Sequence, residues 1–428
     1  MFKYVFITVK IFTYICWLYG SYCLGNKTRL NCIKSLASYL TSMNIVYSKI
    51  FQALSSGINF LSLEEMNALS RYNDNAPYTK NEIYNICDII DNLNNKSEDA
   101  DVLTLTRDTP INSGIISIVY YCRLGEKDVV LKVKRKGIRE KLDDGIKLAE
   151  FIAYICNYLP YINKLNMRTV VKENKEILLN QTDFNIEIEN MKEINHKFRN
   201  IDYVIIPEPY VCFTSINQDV IVMDHIKGYR RNDIEIESND KLKKDFANII
   251  AKFIVKSMFF DKTFHSDLHI GNVFFDTSCE DNPKLGVIDF GLVNKITKHM
   301  QTIFFNLFNH IVVNKDFSSA SKLVIDVITP INNSSTQLTS IEIQQVVDEI
   351  EPHVKDIFEL CDNGCNSITS INNILSRYNR QLTSEFYNLY VSLVMSAGLC
   401  NGLCDKDTKF LHIVKDVISD MFASVKLL

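Results

Sequence analysis

The stretch of sequence that decides the fold reads His265-Ser266-Asp267-Leu268-His269-Ile270-Gly271-Asn272 and runs into the apolar residues 273–275. After a turn-rich insert, a second apolar run at residues 285–288 leads into Asp289-Phe290-Gly291. Short apolar runs bounded by turn signals are typical of buried strands. The pattern therefore predicts two buried strands that hold a set of polar side chains between them.

Three of these polar side chains suit phosphoryl transfer from ATP. Asn272 follows Asp267 by five residues, and Asp289 lies 22 residues beyond Asp267. Asp267 can orient a nucleophilic hydroxyl, while Asn272 and Asp289 offer the hard oxygen ligands that Mg²⁺ takes when it carries ATP phosphates. We therefore predict a catalytic role for Asp267, metal binding by Asn272 and Asp289, and ATP and Mg²⁺ as cofactors.

Two histidines in this stretch suggest a different site. His265 and His269 lie four residues apart, which is a spacing that can hold a metal on one face of a helix. The segment has the composition of a loop, and Cys279 is the nearest further ligand of the type that zinc prefers. A metal pair is therefore the weaker interpretation.

Composition places the chain among ordinary globular proteins. Its 428 residues are 46% hydrophobic and 23% charged, with a net charge of −4. The length suffices for two or three packed units. The negative net charge gives no reason to expect that the chain binds a polyanion such as nucleic acid. We predict no nucleic-acid partner.

The twelve cysteines are scattered, which fits a reducing compartment better than a disulfide framework. Two pairs, Cys361 with Cys365 and Cys400 with Cys404, have the spacing of a possible zinc site. Both pairs lie in apolar helical patterns, and that setting favours buried structural thiols.

The N-terminal stretch from Tyr4 to Leu24 is apolar and rich in aromatic residues, and Lys10 is its one charged residue. It is long enough to cross a bilayer, but a charge inside a span is costly, so a helix in the interface is a serious alternative. A cleaved signal peptide is a third interpretation, which lacks a clear cleavage site. We predict that residues 1–25 associate with a membrane surface.

The periodicity divides the rest of the chain into three parts. Residues 26–98 have helical spacing and end in a polar linker, which indicates an N-terminal helical extension. Residues 99–225 contain strand-like runs and a hairpin signal at residues 125–127, as expected for the smaller lobe of a kinase. Residues 226–428 contain a strong amphipathic helix at residues 245–260. From Lys295 onward the chain is predicted to be helical throughout, with breaks near residues 330–333 and 362–364.

A lysine in the second strand of the predicted hairpin completes the expected nucleotide site. Lys132 is flanked by apolar neighbours at residues 129–133. A lysine in this setting can bind the α- and β-phosphates of ATP and pair with a glutamate on a helix. Glu187, on a helix-compatible stretch 55 residues downstream, is the predicted partner, with Glu189 as the alternative.

These motifs resemble those of the UbiB (ADCK, aarF-domain) atypical kinases over roughly residues 30 to 420. The resemblance rests on six segments: Lys49-Ile50-Phe51-Gln52 with Leu54-Ser55-Ser56, residues 113–120, residues 130–138, Asp183-Phe184-x₂-Glu187-x₂-Asn190, the His265 and Asp289 motifs, and the tail at residues 397–405. The His-x-Asp-Leu-His-x-Gly-Asn form is what separates this family from ordinary protein kinases.

The resemblance implies a two-lobed α+β kinase-like fold with an N-terminal helical extension and a mostly helical larger lobe. Family members bind Mg-ATP and are linked to quinone or other prenyl-lipid metabolism at membranes, including those of mitochondria. By the same resemblance, five residues carry over as nucleotide and metal residues: Lys132, Glu187, Asp267, Asn272 and Asp289. The family's Ala-rich nucleotide loop is here replaced by Asn112-Ser113-Gly114-Ile115, in which Ser113 and Gly114 are expected to contact ATP.

The extension of family members folds over the active site through a Lys-x-Gly-Gln motif and a Glu-x-Asp motif. The corresponding regulatory residues here are Lys49 and Gln52 in the first motif and Gln181 and Asp183 in the second. Phe51 replaces the glycine of the first motif, and Gln181 replaces the glutamate of the second. We therefore expect the extension to restrain nucleotide turnover less tightly than in typical members.

Two further functions remain open from the sequence. The chain can be a nucleotide-gated scaffold without turnover, or a small-molecule phosphotransferase, because enzymes of that type share His-x-Asp-x₄-Asn. The motif at residues 49–56 and the tail at residues 397–405 favour the UbiB-type reading, an ATP-dependent phosphotransferase or ATPase acting in a membrane-linked process.

Overall fold

The computed structural model describes residues 2–57, 65, 68–69, 76–97, 101–158, 167–230, 233–279, 281–331, 337–357, 364–404 and 410–425. The chain divides into two compact units. The first unit consists of Met1–His196, Pro207–Ile226 and Asp289–Leu292, and the second of Lys197–Ile206, Lys227–Ile288 and Val293–Leu428.

The first unit combines helices with one antiparallel sheet. Its helices are α1 (Phe2–Cys23), α2 (Arg29–Met43), α3 (Ile45–Gly57), α4 (Ile86–Lys96), α5 (Ile138–Cys156), α6 (Met167–Asn180), most of α7 (Phe184–Phe198), and α8 (Val211–Ile216). Its strands are β1 (Leu103–Leu105), β2 (Asn112–Ser113), β3 (Ser117–Leu124), β4 (Lys127–Lys134) and β6 (Val220–Asp224).

The sheet runs in the order β1-β3-β4-β6, and β2 pairs with β3. A two-residue turn joins β3 to β4, and Gly125 in that turn has a φ of +57°, which glycine adopts readily. The predicted hairpin is thus confirmed. β4 lies between β3 and β6, and its residues from Val129 to Val133 are all buried. Because successive side chains point to opposite faces, β4 is buried on both faces.

Two hydrophobic clusters stabilise the first unit. One covers the sheet, where side chains of α4 and α8, such as Leu93 and Phe213, pack against the strands. The other joins α1, α2, α3, α5 and α6 through buried residues such as Leu40, Val46 and Ile146. Of the predicted extension, α2 and α3 therefore pack with α5 and α6, whereas α4 packs on the sheet.

The second unit is mostly helical. Its helices are α9 (Ile234–Glu237), α10 (Asp240–Val255), α11 (Lys298–Phe308), α12 (Phe317–Ile325), α13 (Ser340–Val354), α14 (Gly364–Arg377), α15 (Ser384–Asn401) and α16 (Phe410–Val425). Its strands are β5 (Val204–Ile205), β7 (Thr263–His265), β8 (Val273–Asp276), β9 (Lys284–Val287), β10 (Val293–Lys295), β11 (Ile328–Pro330) and β12 (Arg380–Leu382).

Helix α10 leads the chain into the site. The side chain of Asn239 caps its N-terminus by accepting a hydrogen bond from the Leu242 amide, and its apolar face, including Phe246 and Ile250, is buried. A π-helical turn at Lys256–Phe260 follows and ends next to β7. The two apolar runs of the decisive stretch form β8 and β9, which pair in antiparallel register, with β5 parallel to β9.

The prediction that the chain is helical throughout beyond Lys295 is wrong. β11 and β12 form an antiparallel pair in which Ile328 lies opposite Leu382. Each strand has three residues, so neither is long enough to show the alternation by which a strand is recognised. Their pairing depends on tertiary contacts of two segments about fifty residues apart.

The predicted thiol pairs are partly described. Cys400 is buried, with its Sγ 3.4 Å from the Ala247 carbonyl oxygen, and the Sγ of Cys404 lies 3.2 Å from the Cys400 carbonyl. Both thiols therefore contact backbone, as structural cysteines do. Cys361 and the side chain of Cys365 lie outside the described residues.

Helix α1 is long and apolar enough to cross a membrane, and it is the one such helix within the part of the chain that the structure describes. By length and composition alone this is weak support for membrane association, since helices in other settings meet the same test.

Candidate functional site

The first unit holds a buried ion pair between Lys132 of β4 and Glu187 of α7. Lys132 Nζ lies 2.6 Å from Glu187 Oε1, and the two side chains are 9% and 3% exposed. An ammonium group on a strand buried on both faces needs a charged partner, which α7 supplies. The predicted pairing is confirmed, and Glu189, the alternative partner, is exposed.

Asp289 lies beside this pair in the same unit. Its Oδ2 is 3.6 Å from Lys132 Nζ, and its side chain is 47% exposed. The backbone of Asp289 has a φ of 62°, in the left-handed region that non-glycine residues rarely adopt. The amide of Gly291 donates to Asp289 Oδ1 at 3.3 Å. Strained backbone of this kind is typical of ligand-binding positions, where it aims a side chain.

The three side chains combine one positive and two negative charges. Burial lowers the pKa of Lys132, but the carboxylates of Asp289 and Glu187 outweigh burial, so the pKa of Lys132 is raised and its ammonium stays protonated. Burial raises the pKa of Glu187, and Lys132 lowers it. The negative charge of Asp289 also raises the pKa of Glu187, so the net shift is upward. The cluster therefore carries excess negative charge, which fits a bound cation at the half-exposed Asp289.

Helix α7 supports the site at both ends. Asn190, one turn beyond Glu187, donates from Nδ2 to the Phe290 carbonyl at 2.9 Å, and the Phe290 side chain is fully buried. At the start of the helix, the Asp183 carboxylate accepts a hydrogen bond from the Asn185 amide at 3.0 Å. In this structure Asp183 therefore acts on the first turn of α7.

The residues predicted to be regulatory are placed as follows. Lys49 of α3 is half-buried, and its positive charge lowers the pKa of Glu187, against the net upward shift. Phe51 packs against the helical cluster of the extension. The Oε1 of Gln181 is buried and makes no hydrogen bond with the described residues. The side chain of Gln52 lies outside the described residues. Their regulatory role stays a prediction.

The loop after β2 is fixed by a buried arginine that the sequence did not single out. Arg135 donates from Nε to the Gly114 carbonyl and from Nη2 to Ser113 Oγ, both at 2.9 Å. Ser113 Oγ donates in turn to the Ala76 carbonyl at 2.8 Å, and the Gly114 amide donates to the Ser117 carbonyl at 2.8 Å. The hydroxyl of Ser113 is therefore used within the loop, so a nucleotide would meet the loop through other groups.

In the second unit, two histidines hold the backbone around Asp267. His265 Nδ1 lies 3.3 Å from the Asp267 amide, which donates to it, and His265 Nε2 lies 3.4 Å from the Ile288 carbonyl. His269 Nδ1 accepts from the Gly271 amide at 3.0 Å, so its proton lies on Nε2, 3.8 Å from Asp267 Oδ1. Both rings contact the loop itself, and the described residues contain no cluster that could hold a metal by His, Cys, Asp or Glu alone.

Asn272 lies at the end of the same loop. Its Nδ2 donates to the Asp267 carbonyl at 2.9 Å, and its own carbonyl accepts from the Ile288 amide at 2.9 Å. The first hydrogen bond fixes the orientation of the Asn272 amide. Its Oδ1, the atom that Mg²⁺ would need, is on the other side of the amide group from the Asp267 carbonyl.

Arg230 braces the backbone on both sides of Asn272. Its Nη1 donates to the Gly271 carbonyl at 2.6 Å and lies 3.3 Å from the Val273 carbonyl. Its guanidinium carbon lies 3.9 Å from the centre of the Phe274 ring. In the sequence, Arg230 gave no signal of this contact.

The structure thus brings the predicted residues together in two sets, each within one unit. Lys132, Glu187 and Asp289 form one set in the first unit, and Asp267 and Asn272 form the other in the second. Arg135 and Arg230 were missed because most of their hydrogen bonds are to backbone carbonyls, which no side-chain motif records. A buried arginine directly after an apolar strand was the available signal for Arg135.

Comparison with known proteins identifies the fold. Residues 71–324, more than half of the chain, match the family described as the ABC1 atypical kinase-like domain. The curated relative "Probable protein kinase UbiB" of Blochmanniella pennsylvanica is 29% identical over 228 residues, which are 51% of this chain and 40% of the relative. The protein of the same name from Vibrio cholerae is 26% identical over 305 residues, which are 68% of this chain and 53% of the relative.

The chain spans about half the length of these curated relatives. A solved structure described as "The complex structure of Rv3197-erythromycin from Mycobacterium tuberculosis" matches with a TM-score of 0.51 and 16% identity. It covers 86% of this chain and 91% of that chain, which confirms the predicted α+β kinase-like fold. With the motifs at Lys132, Asp267 and Asp289 in place, the chain belongs to the ABC1 atypical kinase-like family, the family of the UbiB proteins.

Proposed function

We propose that the chain binds Mg-ATP and acts as a UbiB-type phosphotransferase or ATPase. The observation that carries this proposal is the buried pair of Lys132 and Glu187 beside the strained, half-exposed Asp289. A lysine held protonated by a glutamate is suited to bind ATP phosphates, and the excess negative charge beside it suits a metal ion. A purely structural ion pair would not need a second carboxylate in a strained backbone.

Each residue has a role in this proposal. Lys132 would donate to nucleotide phosphates while Glu187 holds its ammonium in position. Asp289 and Asn272 would hold Mg²⁺, which when bound neutralises phosphate charge. Asp267 would orient the attacking hydroxyl or water and accept its proton, with His265 and His269 fixing its backbone. The loop at Ser113 and Gly114 would approach the nucleotide through its backbone.

The setting of this activity is also proposed. Members of the family suggest a membrane lipid or a quinone-related small molecule as the partner, and a membrane surface as the location, with mitochondria as the candidate organelle. The apolar helix α1 supports membrane association through residues 1–25. No nucleic-acid partner is proposed, since the chain carries a net charge of −4.

Thermal unfolding with and without Mg-ATP tests the nucleotide site. Wild-type protein should be stabilised by Mg-ATP, because a ligand that binds only the folded state raises its stability. Asp289→Asn should lose that stabilisation while keeping the unfolding temperature of the free protein. Asp219→Asn is the matched control, because Asp219 is similarly exposed at 50% and pairs with Lys134 of the same strand at 3.0 Å. If Asp289→Asn gains the same stabilisation as wild type, the metal assignment is wrong.

A scaffold without turnover is the second candidate, and two observations favour it. Gln181 replaces a glutamate of the family motif and leaves a buried oxygen without a partner among the described residues, and Phe51 replaces a glycine. Release of ADP from Mg-ATP separates the two candidates. Stabilisation by Mg-ATP together with ADP release that Asp267→Asn reduces supports the enzyme, whereas stabilisation without ADP release supports the scaffold.

A further inference from the structure

Helix α1 has two apolar faces, and only one is used inside the first unit. Tyr4, Ile7, Ile11, Tyr14 and Leu18 recur at alternating intervals of three and four residues. Ile11 and Leu18 are buried, and the other three pack against the helical cluster of the unit. This spacing is that of a helix packed along its length on its neighbours.

Polar and aromatic contacts reinforce this packed face near both ends. Lys3 Nζ lies 2.7 Å from Asp144 Oδ1 of α5, and the Tyr4 hydroxyl donates to the same oxygen at 3.2 Å. The Tyr14 ring stacks on Tyr39 of α2 with 4.1 Å between centroids. The packed face from Tyr4 to Leu18 is about 21 Å long at 1.5 Å per residue. Helix α1 is therefore docked along most of its length.

The opposite face, which we call the outer face, is apolar and exposed. Its members Phe2, Phe6, Val9, Phe12 and Trp17 are 94%, 61%, 54%, 65% and 55% exposed. A helix on the surface of a soluble unit normally presents charged residues on this side. A contiguous patch of large apolar residues marks a surface that meets a partner or a membrane.

The charge around this face indicates an anionic partner. Glu64 is the first acidic residue of the chain, and six basic residues precede it. Lys3 pairs with Asp144, Arg29 pairs with Glu65 and Lys49 acts on Glu187, so Lys10 and Lys27 are the cations beside the outer face. Lys10 Nζ lies 4.5 Å from the Phe6 ring centre, and Lys27 Nζ lies 5.0 Å from the Trp17 ring centre. Basic residues interleaved with aromatic ones are what a helix on an anionic bilayer presents to headgroups.

We propose that α1 stays docked on the first unit and lies in the plane of an anionic lipid surface, with its outer face at the boundary of headgroups and acyl chains. This inference rests on the membrane association in the proposed function and specifies its mode. ATP binding does not depend on it.

A membrane span by α1 conflicts with the docked face. To cross the bilayer while docked, α1 would carry Asp144, Lys147 and Glu150 of α5 toward the hydrocarbon. On insertion scales, each charged side chain there costs about 2.5 to 3.5 kcal/mol. To cross undocked, it would expose the buried Ile11 and Leu18 contacts and break the pair with Asp144. Lying in the plane keeps these contacts and buries the outer face.

A second copy of the chain is a less suitable occupant of the outer face. The cations beside the outer face are Lys10 and Lys27, and α1 contains no acidic residue, so two outer faces in contact would bring like charges together. Anionic lipid headgroups instead complement those charges and solvate Trp17, Tyr19 and Tyr22, which suit the interface.

Trp17 reports on this proposal directly, because it is the one tryptophan of the chain. The purified full chain would be mixed with phosphatidylcholine vesicles with and without phosphatidylglycerol, and Trp17 emission recorded. We expect a shift to shorter wavelength with the anionic vesicles. Among lipids brominated at different depths, those labelled near the headgroup should quench most strongly.

Phe12→Glu, at a position 65% exposed, should weaken vesicle partitioning about tenfold or more, since it removes an apolar side chain from the interface and adds a negative charge. Ile341→Glu is the matched control, because Ile341 is 73% exposed on α13 of the second unit, and it should partition like wild type. Both sites are exposed, so both variants should keep the wild-type unfolding temperature.

Three results would overturn the proposal. Unchanged Trp17 emission with anionic vesicles would remove the membrane contact. Strongest quenching by lipids labelled at the chain ends would establish a span. A Trp17 shift that depends on protein concentration without lipid, together with a dimer in sedimentation, would assign the outer face to a second copy. Stabilisation by Mg-ATP, measured without lipid, reports separately on the proposed function.

Discussion

Lys132 shows what a charged residue needs in order to lie on a strand that is buried on both faces. Its ammonium is close to one buried carboxylate and one half-exposed carboxylate, and the pair with Glu187 is the shorter contact. Removing one partner of a buried pair leaves an uncompensated charge, which costs more than the pair itself contributes. The residues of the site are therefore coupled, and single substitutions should not act independently.

A double-mutant cycle measures this coupling. Lys132→Ala and Glu187→Ala should each lower the free energy of unfolding by about 3 to 5 kcal/mol and weaken Mg-ATP binding. The double variant should lose less than the sum, by a coupling of about 0.5 to 3 kcal/mol in denaturant unfolding. Glu189→Ala, exposed two residues away on the same helix, should remain near wild type. Additive losses would show that the two side chains do not act as a pair.

Arg230 should set the metal affinity of the site, if Asn272 is a metal ligand. Because its guanidinium donates to the Gly271 carbonyl and lies close to that of Val273, Arg230→Ala should loosen the backbone on both sides of Asn272. Loss of such a supporting contact typically weakens metal binding about 10- to 100-fold. The Mg²⁺ concentration needed for stabilisation by ATP should rise accordingly.

The control for Arg230 is Lys252→Ala, which removes a cation from the Tyr203 ring, 5.5 Å away in the same unit. It should leave the Mg²⁺ requirement unchanged. An Arg230→Ala protein with a lower unfolding temperature but a wild-type Mg²⁺ requirement would show that Arg230 supports the fold alone.

Cys122 should be inert in the native state. It is fully buried on β3, and burial raises the pKa of its thiol to about 12, so almost no thiolate forms at pH 8. Exposed Cys87 and Cys212 provide the comparison in the same unit. Alkylation at pH 8 followed by peptide mass spectrometry should label these two readily and Cys122 only after denaturation. Equal labelling in the native state would mean that the sheet opens.

At the scale of the residue, the sequence predicted the charged side chains that form the ion-pair cluster. It missed the arginines that hydrogen-bond to backbone carbonyls. Lys132, Glu187 and Asp289 were found because they lie in motifs that resemble those of a known family. Arg135 and Arg230 act on carbonyl oxygens, and every residue has a carbonyl. Only the folded chain shows which carbonyls come together.

At the scale of the element, length decided what could be predicted. The eight-residue strands β3 and β4 and the sixteen-residue helix α10 contain enough periods for their patterns to be read. The three-residue strands β11 and β12 do not, and a helical context surrounds them. The docked and outer faces of α1 are also indistinguishable in the sequence, because both are apolar.

Helix α3, which carries Lys49, approaches α5 at a glycine. A Cβ on Gly145 would lie 2.6 Å from Ile50 Cδ1 and 3.2 Å from Val46 Cγ2, whereas a Cβ on Gly20 of α1 would meet no atom within 4 Å. Gly20→Ala should therefore gain the helix propensity of alanine, about 0.5 to 1 kcal/mol. Gly145→Ala gains the same helix propensity, but its added methyl group would crowd Ile50 and Val46.

The free energies of unfolding of these two variants should differ by about 1 to 3 kcal/mol, with Gly145→Ala the less stable. Denaturant unfolding without lipid measures the difference. Equal stability would show that Ile50 and Val46 move aside without cost, and that the approach of α3 to α5 is loosely packed.

At the scale of the whole molecule, the first 63 residues carry basic side chains and no acidic ones. Six lysine or arginine residues precede Glu64, yet the chain as a whole carries a net charge of −4. The first 63 residues, which include α1 and Lys49, are therefore the basic part of an acidic protein. These residues therefore include both the helix with the proposed lipid contact and Lys49, whose charge lowers the pKa of Glu187.

This arrangement bears on how tightly the extension restrains turnover. In the family motif, glycine permits a close approach of backbone, whereas Phe51 here packs its ring into the helical cluster. Gln181 lacks the negative charge of the family glutamate. We therefore expect Phe51→Gly combined with Gln181→Glu to dock the extension more tightly and to lower basal ADP release. Phe51→Ala is the control, since it removes the same ring without the freedom of glycine, and it should not lower the rate. Faster release from the double variant, or no measurable turnover in either protein, would refute this gating and leave the scaffold as the better account of the chain.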